Sequence, residues 1–148
     1  MKKEMTVCVR GEVQGLDRHR MTKAGHSYDT TKNVENKLRI IRKAESVAMA
    51  EGIVLPIPPG PKGYSVVIFA RMKPPKSYSK KRLKAIQDGK ERPQKKPDND
   101  NIAKLWLDAF VRGGILEDDK HVTSLVVQKV WSDVDETECW VYWEENEK

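Results

Sequence analysis

Residues 55–63 read LPIPPGPKG, and this stretch limits the possible folds more than any other. Its prolines fix φ and remove amide donors, so neither a helix nor a central strand can run through it. The apolar residues are divided between the two sides, and neither half has enough of them for a core of its own. The segment is therefore expected to be a turn inside one domain covering 1–148, not a boundary between two. A chain of 148 residues can bury one real core and falls short of two ordinary domains.

The elements on either side follow from periodicity. Alternation in MTVCVRGEV (5–13) predicts a first strand, followed by a long polar and basic loop through residue 33. Thr30 or Thr31 can cap a helix in which Val34, Leu38, Ile41, Ala44 and Ala48 recur at helical spacing. Its outer face would carry Lys37, Arg39, Arg42 and Lys43, and it should stop near Gly52. YSVVIFARM (64–72) is a second strand. The basic, proline-bounded stretch 74–96 is expected to lie on the surface and to be mobile, with a short helix over Ser79–Asp88 ended by Gly89. Asn101–Val111 is the best-defined helix, burying Ile102, Leu105, Trp106, Ala109 and Phe110 and ending at Gly113-Gly114. Two further strands lie within 115–132 and 136–145, where Trp131, Trp140 and Trp143 read as sheet or interface packing. The order β-α-β-(α)-α-β-β predicts an α+β domain, a small mixed β-sheet of about four strands with helices packed on one face.

Composition narrows the partners. No apolar run approaches the roughly 18 residues of a membrane span, and the N-terminus lacks the apolar stretch of a signal peptide. Cys8 and Cys139 have no metal or redox spacing and are expected to be reduced, as in a cytoplasmic protein. The net charge is +6, unevenly spread. Residues 71–104 hold 12 Lys/Arg against 4 Asp/Glu, whereas 133–148 hold 7 acidic residues against 1 basic. A basic side facing a polyanion, with a solvated acidic tail, fits that distribution, and nucleic acid is the leading partner.

Against this background KKPDNDNIAKLWLDAF (95–110) is unusual. Asp98 is expected in extended or turn backbone beside Pro97, and Asp100 or Asn101 can cap the helix that follows. A cap accounts for one aspartate and leaves the other unexplained. Lys104 returns to the face of Asp100 after one turn. Glu117, Asp118 and Asp119 follow the glycine turn, where a returning strand could bring them beside the first pair. Close carboxylates repel unless a counter-charge is supplied, and Mg²⁺ or Mn²⁺ takes such oxygen ligands. In a basic protein such an ion would polarise a phosphate and activate water, with Lys104 offsetting charge in the transition state. His121 could face this site but reads better as exposed or packed on the strand. His19, His26, Tyr28 and Tyr78 lie in basic loops suited to phosphate or solvent.

KKPDNDNIAKLWLDAF followed by GGILEDDKHV resembles the RusA family of Holliday junction resolvases, phage-type members in particular. The resemblance rests on Asp98, Asp100, Asn101 and Lys104, then Asp118 and Asp119. It implies catalytic roles for Asp98, Asp100, Lys104 and Asp119. The first two and Asp119 would be metal ligands, with Asp118 an alternative that pattern alone does not separate. It further implies a RusA-like fold, a Mg²⁺ cofactor for which Mn²⁺ may substitute, and a homodimer that resolves four-way DNA by paired nicks. A phage-encoded member would act in the bacterial host cytoplasm. DNA contacts are expected from Arg18, Arg20, Lys23, Lys80, Lys81, Arg82, Lys95 and Lys96. Lys84 and Arg92 extend the same surface. A nuclease acting on flaps or other branched DNA keeps the same metal site. A non-catalytic DNA-binding module would leave the aspartates as caps.

Overall fold

The structure is a computed structural model describing residues 1–17 and 20–145, without the side chain of Arg20. In chain order the elements are β1 (Lys2–Arg10), the short β2 (Arg20–Met21) and β3 (Ser27–Tyr28), α1 (Thr31–Glu51), β4 (Tyr64–Met72), α2 (Lys80–Gln87), α3 (Asn99–Arg112), a one-turn 3-10 helix (Asp119–His121), β5 (Val122–Trp131) and β6 (Glu136–Glu144). The main sheet runs β1-β6-β4-β5. Its β4–β5 pair is parallel and the others antiparallel, which makes the fold a mixed-sheet α+β arrangement as expected. None of the described helices is long and apolar enough to cross a membrane.

Strand alternation decides which sheet face is covered. Tyr64, Val66, Ile68, Ala70 and Met72 of β4 are buried, as are Cys139, Val141 and Trp143 of β6 and Met5 and Val7 of β1. Helices α1 and α3 lie over that face, and α3 buries Ile102, Leu105, Trp106, Ala109 and Phe110, the stripe its spacing predicts. Each large apolar side chain so enclosed contributes about 1.5–3 kcal/mol relative to exposure. The two helices meet closely where Gly113 sits on Ile41, since a Cβ there would lie 2.7 Å from Ile41 Cγ1.

The proline segment packs against this core. Ile57 forms a parallel bridge with Leu116, its N–H donating to the Ile115 carbonyl at 2.9 Å. The buried Tyr64 hydroxyl donates to the Ile57 carbonyl and accepts the Glu117 N–H at 3.2 Å. The turn is thereby tied to the start of β4 and to the approach to β5.

Three local expectations need correction. Residues 14–33 are not loop throughout, because Arg20 pairs with Tyr28 and Met21 with Ser27 in a small antiparallel ladder. Helix α3 starts at Asn99, ahead of Asn101. Helix α1, capped by Thr30 and closed by Gly52 as expected, is rotated from its predicted face. Val34 and Leu38 are each 42% exposed, whereas Lys37, expected outside, is 3% exposed. The reason is a counter-charge that apolar spacing does not register. Lys37 Nζ lies 2.5 Å from Asp29 Oδ2 and 2.5 Å from Asp108 Oδ2, and Arg112 stands 3.8 Å from both carboxylates. Asp108 therefore joins α3 to α1.

Replacing Lys37 with Ala removes the charge that compensates two carboxylates, one of them buried. Urea denaturation should show a loss of about 3 kcal/mol, the range for breaking a buried pair. A loss under about 1 kcal/mol, as at exposed pairs, would mean that water already screens this cluster.

Candidate functional site

The segment leading into α3 is fixed on three sides. Lys129 Nζ donates to the Lys95 carbonyl at 2.7 Å, and Asn99 Nδ2 donates to the Val127 carbonyl at 3.2 Å, so both ends of the acidic motif's approach are held by β5. From the other side the loop after β1 presses in. Leu16 N–H donates to the Asn101 carbonyl at 2.9 Å, and a Cβ on Gly15 would come within 2.8 Å of Pro97 Cβ. Buried Asn33 of α1 holds that loop, accepting from Asp17 N–H at 2.9 Å and donating to the Asp17 carbonyl at 3.0 Å.

The head of α3 carries the two aspartates with little structural commitment. Asp98 occupies the N-cap in extended backbone, yet its side chain makes no capping hydrogen bond. Among the described residues Asp100, in the first turn, pairs with Lys104 alone, at 3.8 Å, and both side chains are about two-thirds exposed (69% and 63%). Neither carboxylate is used as a side-chain cap, which removes the purely local explanation for the pair. Beside them opens a cavity of about 960 Å³, lined among others by Asp98, Asp100, Lys104, Lys95, Lys96 and Lys32. Four lysines thus share one concave surface with five acids, since Glu12, Asp17 and Asp135 also line it. The positive end of the α3 backbone dipole lies at the same place and favours negative charge there.

Asp118 and Asp119 are not part of this group within one chain. They form the turn before β5, where Val122 pairs with Tyr64 at the start of β4. Asp98 and Asp100 instead lie near Val127 and the far end of that parallel pair. Helix α3 separates the two clusters by the rise of its 14 residues, about 20 Å. Asp118 accepts the Lys120 N–H at 3.0 Å, and this bond above all holds its carboxyl below the usual range. His121 stacks edge-on against Tyr64, with ring centroids 6.3 Å apart, which is strand packing rather than a place among the acids.

Among the described residues one group of three potential ligand atoms does lie within 4.8 Å of one another: Cys8, Glu136 and Glu138. It occupies the sheet face opposite the helices. Arg71 already reaches both glutamates, at 3.4 and 3.1 Å, and burial with the Glu136 hydrogen bond pushes the Cys8 thiol up to about 11. The guanidinium supplies the counter-charge here, which leaves these carboxylates little need of a cation.

The expected DNA contacts divide into groups. Lys95 and Lys96 line the large cavity. Arg82 stacks over Tyr78 and pairs with Glu91 at 3.0 Å, beside a second cavity. Lys80 and Lys81 are exposed on the first turn of α2, and Lys23 is exposed in the turn between β2 and β3. Arg18, His19 and the Arg20 side chain lie outside the described residues, as do the last three residues of the acidic tail. Lys32 was missed. A lysine in the first turn of α1, with no acid there, runs against the helix dipole, and that mismatch was visible in the sequence.

Comparison with known families gives this geometry its context. A family described as "Endodeoxyribonuclease RusA" matches residues 11–142, the bulk of the chain. The class is therefore that of DNA endonucleases, hydrolases acting on phosphodiester bonds. Within it, the chain belongs to the RusA family, whose members act on branched junction DNA as Holliday junction endonucleases and generally depend on a divalent metal. No curated protein matched the chain.

Gly15 gives a test of how the site is held. Substitution by Ala forces Cβ against Pro97 and Asn101, at 2.8 and 3.2 Å, and displaces the loop from the head of α3. Thermal and urea unfolding should show a loss of about 1–3 kcal/mol, as for overpacking. An unchanged stability would mean that this loop is not seated on the acidic motif.

Proposed function

We propose that the chain is a homodimeric, Mg²⁺-dependent nuclease that resolves four-way DNA junctions by paired nicks, with Mn²⁺ able to substitute. The observation that carries this reading is the pair of uncommitted carboxylates, Asp98 and Asp100, at the rim of a cavity that Lys32, Lys95, Lys96 and Lys104 help to line. Hard, exposed oxygens without structural hydrogen bonds suit a divalent cation, and that ion would supply Lewis acidity and an activated water when bound. Asp98, Asp100 and Asp119 are its ligands in this reading, with Asp118 beside them. Lys104 places positive charge where negative charge grows on the phosphate, and Lys95, Lys96 and Lys32 draw the strand into the cavity. Lys80, Lys81, Arg82 and Lys23 extend the path of the backbone, along with Arg18 and Arg20. Affinity should therefore fall steeply with salt.

The separation along α3 supports the dimer. Among the described residues strand β5 is an edge, paired with β4 alone, and it exposes Leu125 (44%) and Val126 (41%). Two such edges paired antiparallel about a two-fold axis lay the start of one β5 beside the end of the other. That arrangement carries the partner's Asp119 toward Asp98 and Asp100, and makes two equivalent sites for a two-fold-symmetric substrate.

Labelled four-way junction, flap and linear duplex, each incubated with Mg²⁺ or EDTA, test the reading. Symmetric nicks confined to the junction and abolished by EDTA are expected. Asp98→Asn and Asp100→Asn should each lower cleavage by about a hundredfold or more while binding persists. Equal cutting of flaps would assign the site to branched DNA in general. Cleavage in EDTA, or by the Asp100→Asn variant, would remove the cation or that ligand from the mechanism.

A further inference from the structure

Next to the acidic site, with Lys95 lining both, lies a second cavity of about 350 Å³ between α2, residues 91–95 and the end of β5. Its walls are aromatic and cationic. Tyr78 meets Trp131 edge-on, with centroids 6.0 Å apart and planes at 79°. The Arg82 guanidinium covers the Tyr78 ring at 3.7 Å and is held by Glu91 at 3.0 Å, while Lys95 Nζ stands 5.9 Å from the Trp131 ring centre. Glu91 and Gln94 add an acceptor and an amide able both to donate and to accept. Trp131 Nε1 is the buried side-chain polar atom left without a hydrogen-bond partner among the described residues.

These features serve no evident structural purpose together, since Gln94, Arg92, Arg82 and Lys95 are exposed and Tyr78 is half-buried. Their combination does match one ligand chemistry. Aromatic faces and guanidinium planes stack nucleobases, cations hold the adjoining phosphate, and carboxylate and amide groups read base edges. A volume at the small end of ligand pockets admits one nucleotide and no base pair. A paired base in a duplex has its faces and its pairing edge occupied, so only an unstacked nucleotide fits.

We infer that this cavity takes one unstacked nucleotide of the DNA strand whose phosphate lies at Asp98 and Asp100. The inference rests on the nuclease reading for the neighbouring site, and it adds the feature by which a branch point is told from duplex. Trp131 is thereby a base-contacting residue as well as the last residue of β5.

The test is equilibrium binding in EDTA, which removes cleavage from the readout. A short single strand carrying 2-aminopurine should be quenched on binding, and the same sequence in blunt duplex should not. Tyr78→Ala should weaken single-strand binding about 5- to 100-fold, the range for losing one stacked base, with duplex affinity unchanged. Tyr78→Leu, which keeps apolar bulk and whose fold is checked by circular dichroism, should behave alike. Lys81→Ala, outside the cavity, should weaken single strand and duplex equally. Quenching retained in both Tyr78 variants, equal losses on single strand and duplex in those variants, or no single-strand binding by the unaltered protein would each overturn the inference. A protein that cleaves junctions normally yet shows no quenching loses the pocket alone. One that shows Tyr78-dependent quenching but no Mg²⁺-dependent cleavage loses the nuclease reading.

Discussion

The burial of one stripe of α3 against the sheet and α1 governs where the acids and lysines of the site are placed. Ile102, Leu105, Trp106, Ala109 and Phe110 can enter the core in one orientation only, and this fixes the direction of the helix axis. Its first turn is then delivered to the β1–α1 loop and the end of β5, and its last turn to the start of β4 and β5. The lysine-lined cavity at one end and the Asp118–Asp119 turn at the other are consequences of that single packing choice. So is the separation between them.

Charge follows the same frame. The sheet face away from the helices gathers Glu136, Glu138, Arg71 and Arg10 into mutual ion pairs, which leaves it nearly balanced. Around the head of α3 the long Lys104–Asp100 contact is the ion pair found among the described residues. The cavity there mixes four lysines with five acids, so a phosphodiester would meet individual lysines, with a cation needed to offset the carboxylates. Two cavities sharing Lys95 then divide the work, one toward the phosphate and one toward a base.

Much of this was legible in the residues themselves. Periodicity located α3's buried stripe and β4, because each is decided by burial against one face. Ser79 and Thr30 announced their helices through side chains that do cap, accepting from Arg82 and Asn33. The rotation of α1 was not legible, since it depends on Asp29 and Asp108 meeting Lys37 across loop and helix. Nor was the position of Asp118 and Asp119. A strand returning along a helix was expected to bring them to the head of α3. It does run back along the helix, but the acids precede the strand and stay at the tail. The spacing of Asp98, Asp100 and Lys104 placed those three at one helix end; only the direction of β5 shows that Asp118 and Asp119 lie at the other.

Mixing two inactive variants tests the shared site most directly. If the site is shared, each centre takes Asp98 and Asp100 from one subunit and Asp119 from the other. Asp100→Asn and Asp119→Asn homodimers should each fail to cut a four-way junction. After subunit exchange, the mixed dimer has one site carrying both defects and one carrying neither, so single Mg²⁺-dependent nicks should return. If the mixture stays as inactive as its parents while mixed dimers demonstrably form, each site is built within one chain, and the sharing of Asp119 between subunits is wrong.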